Sequence, residues 1–398
     1  MKRSKFFIQT NKSTPNDATL KSHKLMIQSG MILQQSSGLY VFGGLATLVL
    51  NKISNVIREV FTEHGFQEII MPIMQPRSVW EKSGRSEIYG DETLIAKDRK
   101  GCDLIFSPTN EEIVTDYFSQ VLKTYKQLPV SFYQINWKFR DEIRPRHGLM
   151  RAREFLMMDL YSFDKTKEDE KNTFVKVFNA YVEIFNRLGL KVLPTRADNG
   201  VIGGDFSYEF NLLTPHGDTN IYYKTEELNK VNSIEDIENI DCAVEEKKNQ
   251  LKEDIKNYKT TKGIELGHLF LFDEKYTKSM DVKIQDENGT VFHPFMGSYG
   301  IGVSRMIAAV IESSHDEKGI IFPKTVSPFD VYLVDTLNNN ESEKIYKDLS
   351  QQYKVLHDDR DVSFGEKIHD AELLGFPLIA IVGKKYLETG EVEWKKRS

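Results

Sequence analysis

The stretch SFYQINWKFRDEIRPRHGLMRAREFLMMDLYSF, residues 131–163, decides how this chain is read. Its first part alternates. Tyr133, Ile135, Trp137 and Phe139 fall on one side of an extended chain, and Gln134, Asn136, Lys138, Arg140 and Glu142 on the other. Period two is the mark of a strand, so Ser131–Glu142 is expected to be a strand with one polar, outward face. A loop with Arg144, Pro145, Arg146, His147 and Gly148 follows, and the apolar run Phe155–Phe163 supplies an antiparallel partner, which makes a long hairpin. Arg140 and Glu142, two apart on a strand, leave the same face and can act on one ligand; a cross-strand ion pair is the plainer alternative. Arg151, Arg153 and Glu154 lie across the loop. Their guanidiniums suit phosphate, because the planar fork donates two parallel charge-assisted hydrogen bonds.

Outward from this hairpin, apolar residues at 45, 48, 49, 53, 56, 57 and 60 follow a helical spacing that His64-Gly65 closes. Phe66–Met74 holds Pro72, which suits a connector or an edge strand facing a second subunit. Thr166 with Asp169 marks the start of a helix carrying Phe174, Val177, Phe178, Tyr181 and Phe185. The charge-rich segment Lys224–Lys262 reads as a charged connection or small surface subdomain between two parts of one sheet. Ile264–Phe272 reads as a strand, and Val282–Phe295 as a hairpin turning at Asn288-Gly289 in a two-residue loop. Gly297–Gly302 leads into an apolar helix at Val303 with Arg305 in its first turn. From Pro328 the pattern alternates strand and helix (Val331–Val334, Ser342–Tyr353, Val355–His357, Gly365–Leu374, Pro377–Val382), which marks a separate α/β domain beginning near 326.

Composition bounds the rest. A length of 398 residues favours two or three domains. With 40% hydrophobic and 28% charged residues the chain is neither disordered nor fibrous. The net charge of −6 from 59 acids and 53 bases means that nucleic-acid contact must come from local basic patches. Cys102 and Cys242 offer no metal spacing and no disulfide framework. No apolar signal segment follows Lys2, Arg3 and Lys5, and the most apolar runs, Leu39–Leu50 and Leu373–Gly383, are shorter than the roughly 18 residues of a membrane span. A cytoplasmic protein without membrane association is expected. The glycine run matches neither the dinucleotide fingerprint nor the phosphate-binding loop of ATPases, so another kind of nucleotide site is needed.

Here the residues resemble the class II aminoacyl-tRNA synthetases. Leu45–Pro72 is similar to their motif 1, the helix, strand and proline of a dimer interface. Phe139-Arg140-Asp141-Glu142 through Arg151 and Phe155 is similar to motif 2, and Gly300–Arg305 to motif 3. The class I signatures are absent. More narrowly, Ser107–Glu112, Lys126–Pro129, Phe139–Phe163, Leu266-Gly267-His268, Ser298–Arg305, Asp358-Asp359-Arg360 and Gly375-Phe376-Pro377 resemble the bacterial prolyl-tRNA synthetases, over about residues 30–383. The resemblance implies an α/β (α+β) chain: an antiparallel-sheet catalytic domain with helices in residues 1–222 and 263–325, and a small mixed-sheet anticodon-binding domain in 326–398. Residues 223–262 stand in place of a large editing domain.

By the same resemblance, Arg140 and Arg305 carry catalysis. Arg140 contacts the α-phosphate and the substrate carboxylate, Glu142 and Arg151 help hold ATP, Phe155 stacks on adenine, and Arg305 meets the γ-phosphate. Thr109 and Glu111 resemble the Thr-x-Glu element that binds the secondary ammonium of proline; a helix-start box with Glu112 can coexist with that role. His268 and Ser298 resemble pocket walls, Ser298 standing where many relatives carry cysteine. ATP comes with Mg²⁺, for which Glu209 is a carboxylate candidate, and no tightly bound metal or organic cofactor is expected. The implied partners are L-proline, tRNA(Pro), a second copy of the chain in a homodimer, and a separate trans-editing deacylase. Lys384, Lys385 and Lys395-Lys396-Arg397 are candidate tRNA-phosphate contacts or plain solvated surface. Rival readings are a sister enzyme for threonine, histidine or glycine, and a non-catalytic tRNA-binding regulator.

Overall fold

The computed structural model describes residues 1–15, 18–198, 206–224, 231–337 and 339–397. The chain divides into two compact units: Val56–Pro145 with Ala152–Arg305, and Met1–Asn55 with Arg146–Arg151 and Met306–Ser398.

The larger unit is built on a nine-stranded sheet. Its spatial order is Phe206–Leu213, Val192–Arg196, Ala243–Val244, Thr219–Tyr223, Lys259–Leu271, Phe295–Gly302, Glu154–Asp164, Val130–Phe139, Gln67–Glu68, and Phe206–Leu213 also pairs directly, antiparallel, with Lys259–Leu271. All neighbours are antiparallel except Gln67–Glu68 beside Val130–Phe139 and Ala243 beside Arg196. The long hairpin is present, with Phe132 opposite Tyr161 and Phe139 opposite Glu154. Helix Lys167–Arg187 starts with the Thr166/Asp169 capping box. It lays Phe174, Val177, Phe178, Tyr181 and Phe185, all fully buried, against the sheet, where Phe178 and Tyr181 meet the Phe210 ring at 5.0 and 5.4 Å. A second apolar cluster on Phe118, Phe163 and Phe270 is held by a stacked Phe118–Phe163 pair, centroids 3.8 Å apart.

Four expectations are corrected here. The first hairpin strand ends at Phe139. Arg140 still donates its N–H across the hairpin to the Arg153 carbonyl at 2.9 Å, but Asp141 donates away to the Glu92 carbonyl and Glu142 turns back onto the Arg140 carbonyl, so Glu142 stands beyond the ladder. The polar face of that strand is not outward: Gln134 and Lys138 are buried, because Asp159 on the partner strand accepts from Gln134 at 3.1 Å and pairs with Lys138 at 2.8 Å. The Lys224–Lys262 segment is more than a surface connection. Its Ala243–Val244 joins the main sheet and its Cys242 and Val244 pack with Leu193 and Ile221, while 225–230 lie outside the described residues. The turn at Asn288-Gly289 is a longer loop between Gln285 and Val291. It is closed by the Asp286 carboxylate, which accepts from the Asn288 and Thr290 N–H groups, and only Gly289 has positive φ, at +80°.

A three-stranded sheet, Met74–Pro76, Asp103–Phe106 and Ile95–Lys97, sits upstream in the same unit. Its exit residue Ser107 accepts from the Phe139 N–H at 3.0 Å and so delivers Thr109 and the helix Glu111–Val121 to the end of the hairpin.

In the smaller unit, Val355–Asp358, Val331–Asp335 and Leu378–Val382 run parallel and Glu393–Lys396 closes the sheet antiparallel, the mixed α/β architecture expected for the C-terminal region. This unit also takes in residues 1–55, where Lys2 bridges His357 beside the sheet. Among the described residues no helix is long and apolar enough to cross a membrane.

Candidate active site

A cavity of about 280 Å³ opens in the larger unit where the ends of the hairpin, the Lys259–Leu271 strand and the glycine-rich strand converge. Seven of the residues singled out from the sequence line it: Thr109, Glu111, Arg140, Phe155, His268, Ser298 and Arg305. Three do not. Glu142 accepts the Arg144 N–H in the loop, Arg151 belongs to the other unit and bridges Arg146, and Glu209 sits cross-strand from His268.

One end of the cavity is anionic. Glu111, fully buried, accepts from the Thr109 hydroxyl at 2.6 Å and from Arg85 at 3.0 Å on one oxygen, and from the Ser298 hydroxyl at 3.0 Å on the other. Burial favours the neutral acid, but the Arg85 charge and these donors prevail, so the carboxyl stays below its ordinary value. The expected capping box is not formed. Asn110 is the N-cap, Thr109 is spent on Glu111, and Glu112 turns to Arg85.

The other end is cationic. Arg140 donates from Nε to the Pro108 carbonyl at 3.2 Å and lies over the Phe155 ring at 5.4 Å. Burial opposes its charge, but Tyr89, Glu265, Glu111 and Glu92 raise its pKa. Arg305, in the first turn of helix Val303–Ser313, bonds the Glu265 carbonyl and lies 3.8 Å from its carboxylate. The two ends therefore offer a carboxylate to a cation and guanidiniums to anions within one pocket.

Glu265 and His268 of the cavity wall and Glu209 on the neighbouring strand bring ligand atoms within 4.8 Å of one another. Burial first, then the Glu265 charge, push Glu209 up to about 7, while His268, Arg305 and Arg140 hold Glu265 down to about 2 against its enclosure. The His268 ring stacks on Phe270, centroids 3.8 Å apart. The sequence reading missed Glu265, Tyr89 and Asp159, all on the wall. Glu265 lies three residues before His268, which on a regular strand would set the two on opposite faces, and the register shift opposite Phe210 and Asn211 that brings them together has no signal in the sequence. Asp159 sits inside an apolar strand, where it accepts from Asn110 at 2.7 Å and from Tyr161 at 3.0 Å and so fixes the turn that carries Thr109.

Residues 93–314 match the tRNA synthetase class II core domain shared by the glycine, histidine, proline, serine and threonine enzymes, and 330–398 match an anticodon binding domain. A proline–tRNA ligase of Ehrlichia ruminantium is 43% identical over all of this chain and 96% of its own length, and one of Rickettsia canadensis 44% over 99% and 93%. The solved prolyl-tRNA synthetase of Cryptosporidium parvum with L-proline and AMP shares the fold at a TM-score of 0.74 and 19% identity, covering 96% of this chain and 75% of that one. That of Giardia lamblia with prolyl-adenylate does so at 0.74 and 19%, covering 94% and 71%. With the class II core matched over more than half of its length and full-length relatives above 40% identity, the chain belongs to the prolyl-tRNA synthetase family of class II aminoacyl-tRNA synthetases.

Proposed function

We propose the following division of labour for the family's reaction, in which L-proline and ATP give prolyl-adenylate and pyrophosphate and the prolyl group then passes to the 3′ end of tRNA(Pro). The observation that carries it is the polarity of the cavity, with Glu111 at one end and Arg140 and Arg305 at the other. Proline is a zwitterion and ATP a polyanion. The secondary ammonium has two N–H bonds and meets two acceptors: the Glu111 carboxylate, and the Thr109 oxygen, whose own proton is committed to Glu111. His268 and Ser298 wall the ring. Arg140 draws the proline carboxylate and the α-phosphate together, Phe155 supplies a face for adenine, and Arg305 receives the γ-phosphate, with Glu142 as a further ATP-holding residue. A carboxylate oxygen then attacks the α-phosphorus in line as the bond to pyrophosphate breaks. Positioning and charge stabilisation suffice, and no protein nucleophile is required.

Mg²⁺ fits the paired carboxylates, because hard cations take oxygen ligands and Glu209 is crowded by a like charge that a dication would relieve. Glu209 and Glu265 would hold it, and it would neutralise charge on the ATP phosphates. Assembly as a homodimer is supported by the edge strand Gln67–Glu68, beyond which Ile70 is 87% exposed and Ile73 40%. In the C-terminal domain, Lys384 and Lys385 remain candidates for tRNA phosphates. Arg397 does not, because it is buried and clamps Asp316 with both terminal nitrogens; Lys395 is tied to Glu372. The Lys224–Lys262 segment is too short for an editing domain with its own core, so clearance of alanyl-tRNA falls to a separate deacylase, and the work is cytoplasmic. Pyrophosphate exchange run with each amino acid in turn tests the assignment. Exchange with proline far above threonine, histidine and glycine is expected. Exchange with one of those three instead, or with none, would overturn it.

A further inference from the structure

Behind the anionic end of the cavity lies a charge arrangement that the reaction scheme does not use. Arg85, Glu111 and Glu112 are 1%, 1% and 0% exposed. A single guanidinium nitrogen of Arg85 contacts both carboxylates, Glu111 at 3.0 Å and Glu112 at 3.0 and 3.2 Å. Buried charges are tolerated when they are matched, yet here two carboxyl groups share one guanidinium nitrogen, and burial first, with the Glu111 charge, pushes Glu112 above its ordinary value against the pull of Arg85. Lys275, exposed, is a further cation whose field reaches all three groups, and Arg140 lies in the field of Glu111. Of the three, only Glu111 faces the cavity.

The arrangement is rigidly held. Gly84, at φ +75°, turns the chain into the short helix Arg85–Ile88. The guanidinium is boxed by Trp80, Tyr89 and Tyr276, at 5.2, 5.1 and 5.5 Å from the ring centroids. Ser83 donates to Glu112 at 2.8 Å. Had Arg85 faced Glu111 alone, the two would form a closed neutral pair with little field left for a ligand. With Glu112 on the same nitrogen, the Arg85 charge is divided between two carboxyl groups, and of those two only Glu111 faces the pocket.

We propose that Arg85 and Glu112 are positioning residues for amino-acid binding: Arg85 fixes the Glu111 carboxylate, and Glu112 engages the Arg85 charge so that Glu111 keeps its own for the substrate ammonium. This rests on the reading of Glu111 as the ammonium acceptor. The test is pyrophosphate exchange by the full chain, with KM for proline and for ATP measured separately, in Glu112→Gln, Glu111→Gln, the double variant and Arg85→Lys. Removing one charge about 4–6 Å from an ionic contact is worth at least roughly tenfold. Glu112→Gln is therefore expected to raise the proline KM about tenfold, with the ATP KM within about twofold. In the Glu111→Gln background the same change has no charge left to modulate and adds nothing. Arg85→Lys, which keeps the charge and loses the fork, gives a smaller rise than Glu112→Gln. An unaltered proline KM in Glu112→Gln overturns the proposal, as does an equal rise for ATP or a full additive effect in the double variant, each of which marks a merely structural pair. An unaltered proline KM in Glu111→Gln overturns the ammonium reading itself, a separate failure.

Discussion

Replacing Thr109 by valine removes one oxygen from the anionic end of the pocket and preserves its shape. The side chain is buried, and its hydroxyl donates to Glu111 at 2.6 Å. Because that proton is committed, the oxygen faces a ligand only as an acceptor, and with Glu111 it makes two acceptors for the two N–H bonds of a secondary ammonium. In Thr109→Val one charged N–H is left unpaired inside a desolvated pocket. A hydrogen bond to a charged group is worth about 1.5–3 kcal/mol, so the proline KM should rise by roughly ten- to 150-fold at about 1.4 kcal/mol per decade. The carboxylate itself survives, since Arg85 and Ser298 still donate to it. Its pKa, depressed in the folded protein partly by Thr109, moves upward. A depressed carboxyl is ionised above its folded value and lost as pH falls through it, so the acid limb of proline use moves to higher pH in the variant. Pyrophosphate exchange at several pH values measures both effects, and Thr109→Ser restores the proline KM. A proline KM within twofold of the parent, or a parallel rise in the ATP KM, would refute the two-acceptor geometry.

Four further outcomes are expected. Arg140→Ala or Arg305→Ala each cost at least about 1.5–3 kcal/mol in adenylate formation with the fold retained, read as exchange rate beside circular dichroism; near-normal rates in both would remove these residues from the site. Sedimentation at micromolar concentration shows a dimer, and a fully active monomer excludes the Gln67–Glu68 edge as an interface. Alanine, smaller than proline, is excluded by no steric wall, and each methylene discriminates by only about 1–3 kcal/mol; preformed alanyl-tRNA of the proline type therefore decays no faster with the chain than without it. Glu170, fully buried beside the Asp273 N–H, is pushed by burial up to about 8, so stability is greatest below its ordinary value near 4.5 and falls as pH rises to about 8. Glu170→Gln recovers up to about 5 kcal/mol at pH 9 and little at pH 4.5, measured by urea melts; a gain independent of pH would sink the linkage.

How much was legible in the sequence follows from what each signal encodes. Helix Lys167–Arg187 was readable because its five buried aromatic and aliphatic positions and its Thr166/Asp169 start are local facts. The end of the hairpin strand was not. Alternation continues to Glu142 in the sequence, but Asp141 finds a partner in Glu92, some fifty positions away, and the ladder stops at Phe139. The Asn288-Gly289 dipeptide named a turn correctly and its type wrongly, because the Asp286 side chain offered the backbone a competing set of acceptors.

The site divides along the same line. Arg140, Phe155 and Arg305 lie where strands end and a helix begins, so their neighbours in sequence announce them. Arg85, Glu112, Lys138 and Asp159 carry no such announcement, and periodicity alone assigns charged residues to water. Periodicity reports which residues share a face and says nothing of what covers that face. Here the polar face of Val130–Phe139 is buried because Asp159, on an apolar strand, supplies the matching charge to Lys138 and an acceptor to Gln134. The same inversion hides Arg85, whose partners begin a helix 26 positions later in the chain. Buried charges of this kind persist only where each has a partner already in place, and those partners lead by contact to the cavity: Asp159 through Asn110 to Thr109, and Arg85 directly to Glu111. Arg85 and Asp159, which patterning misplaces, are therefore the residues that hold the proposed substrate acceptors in position.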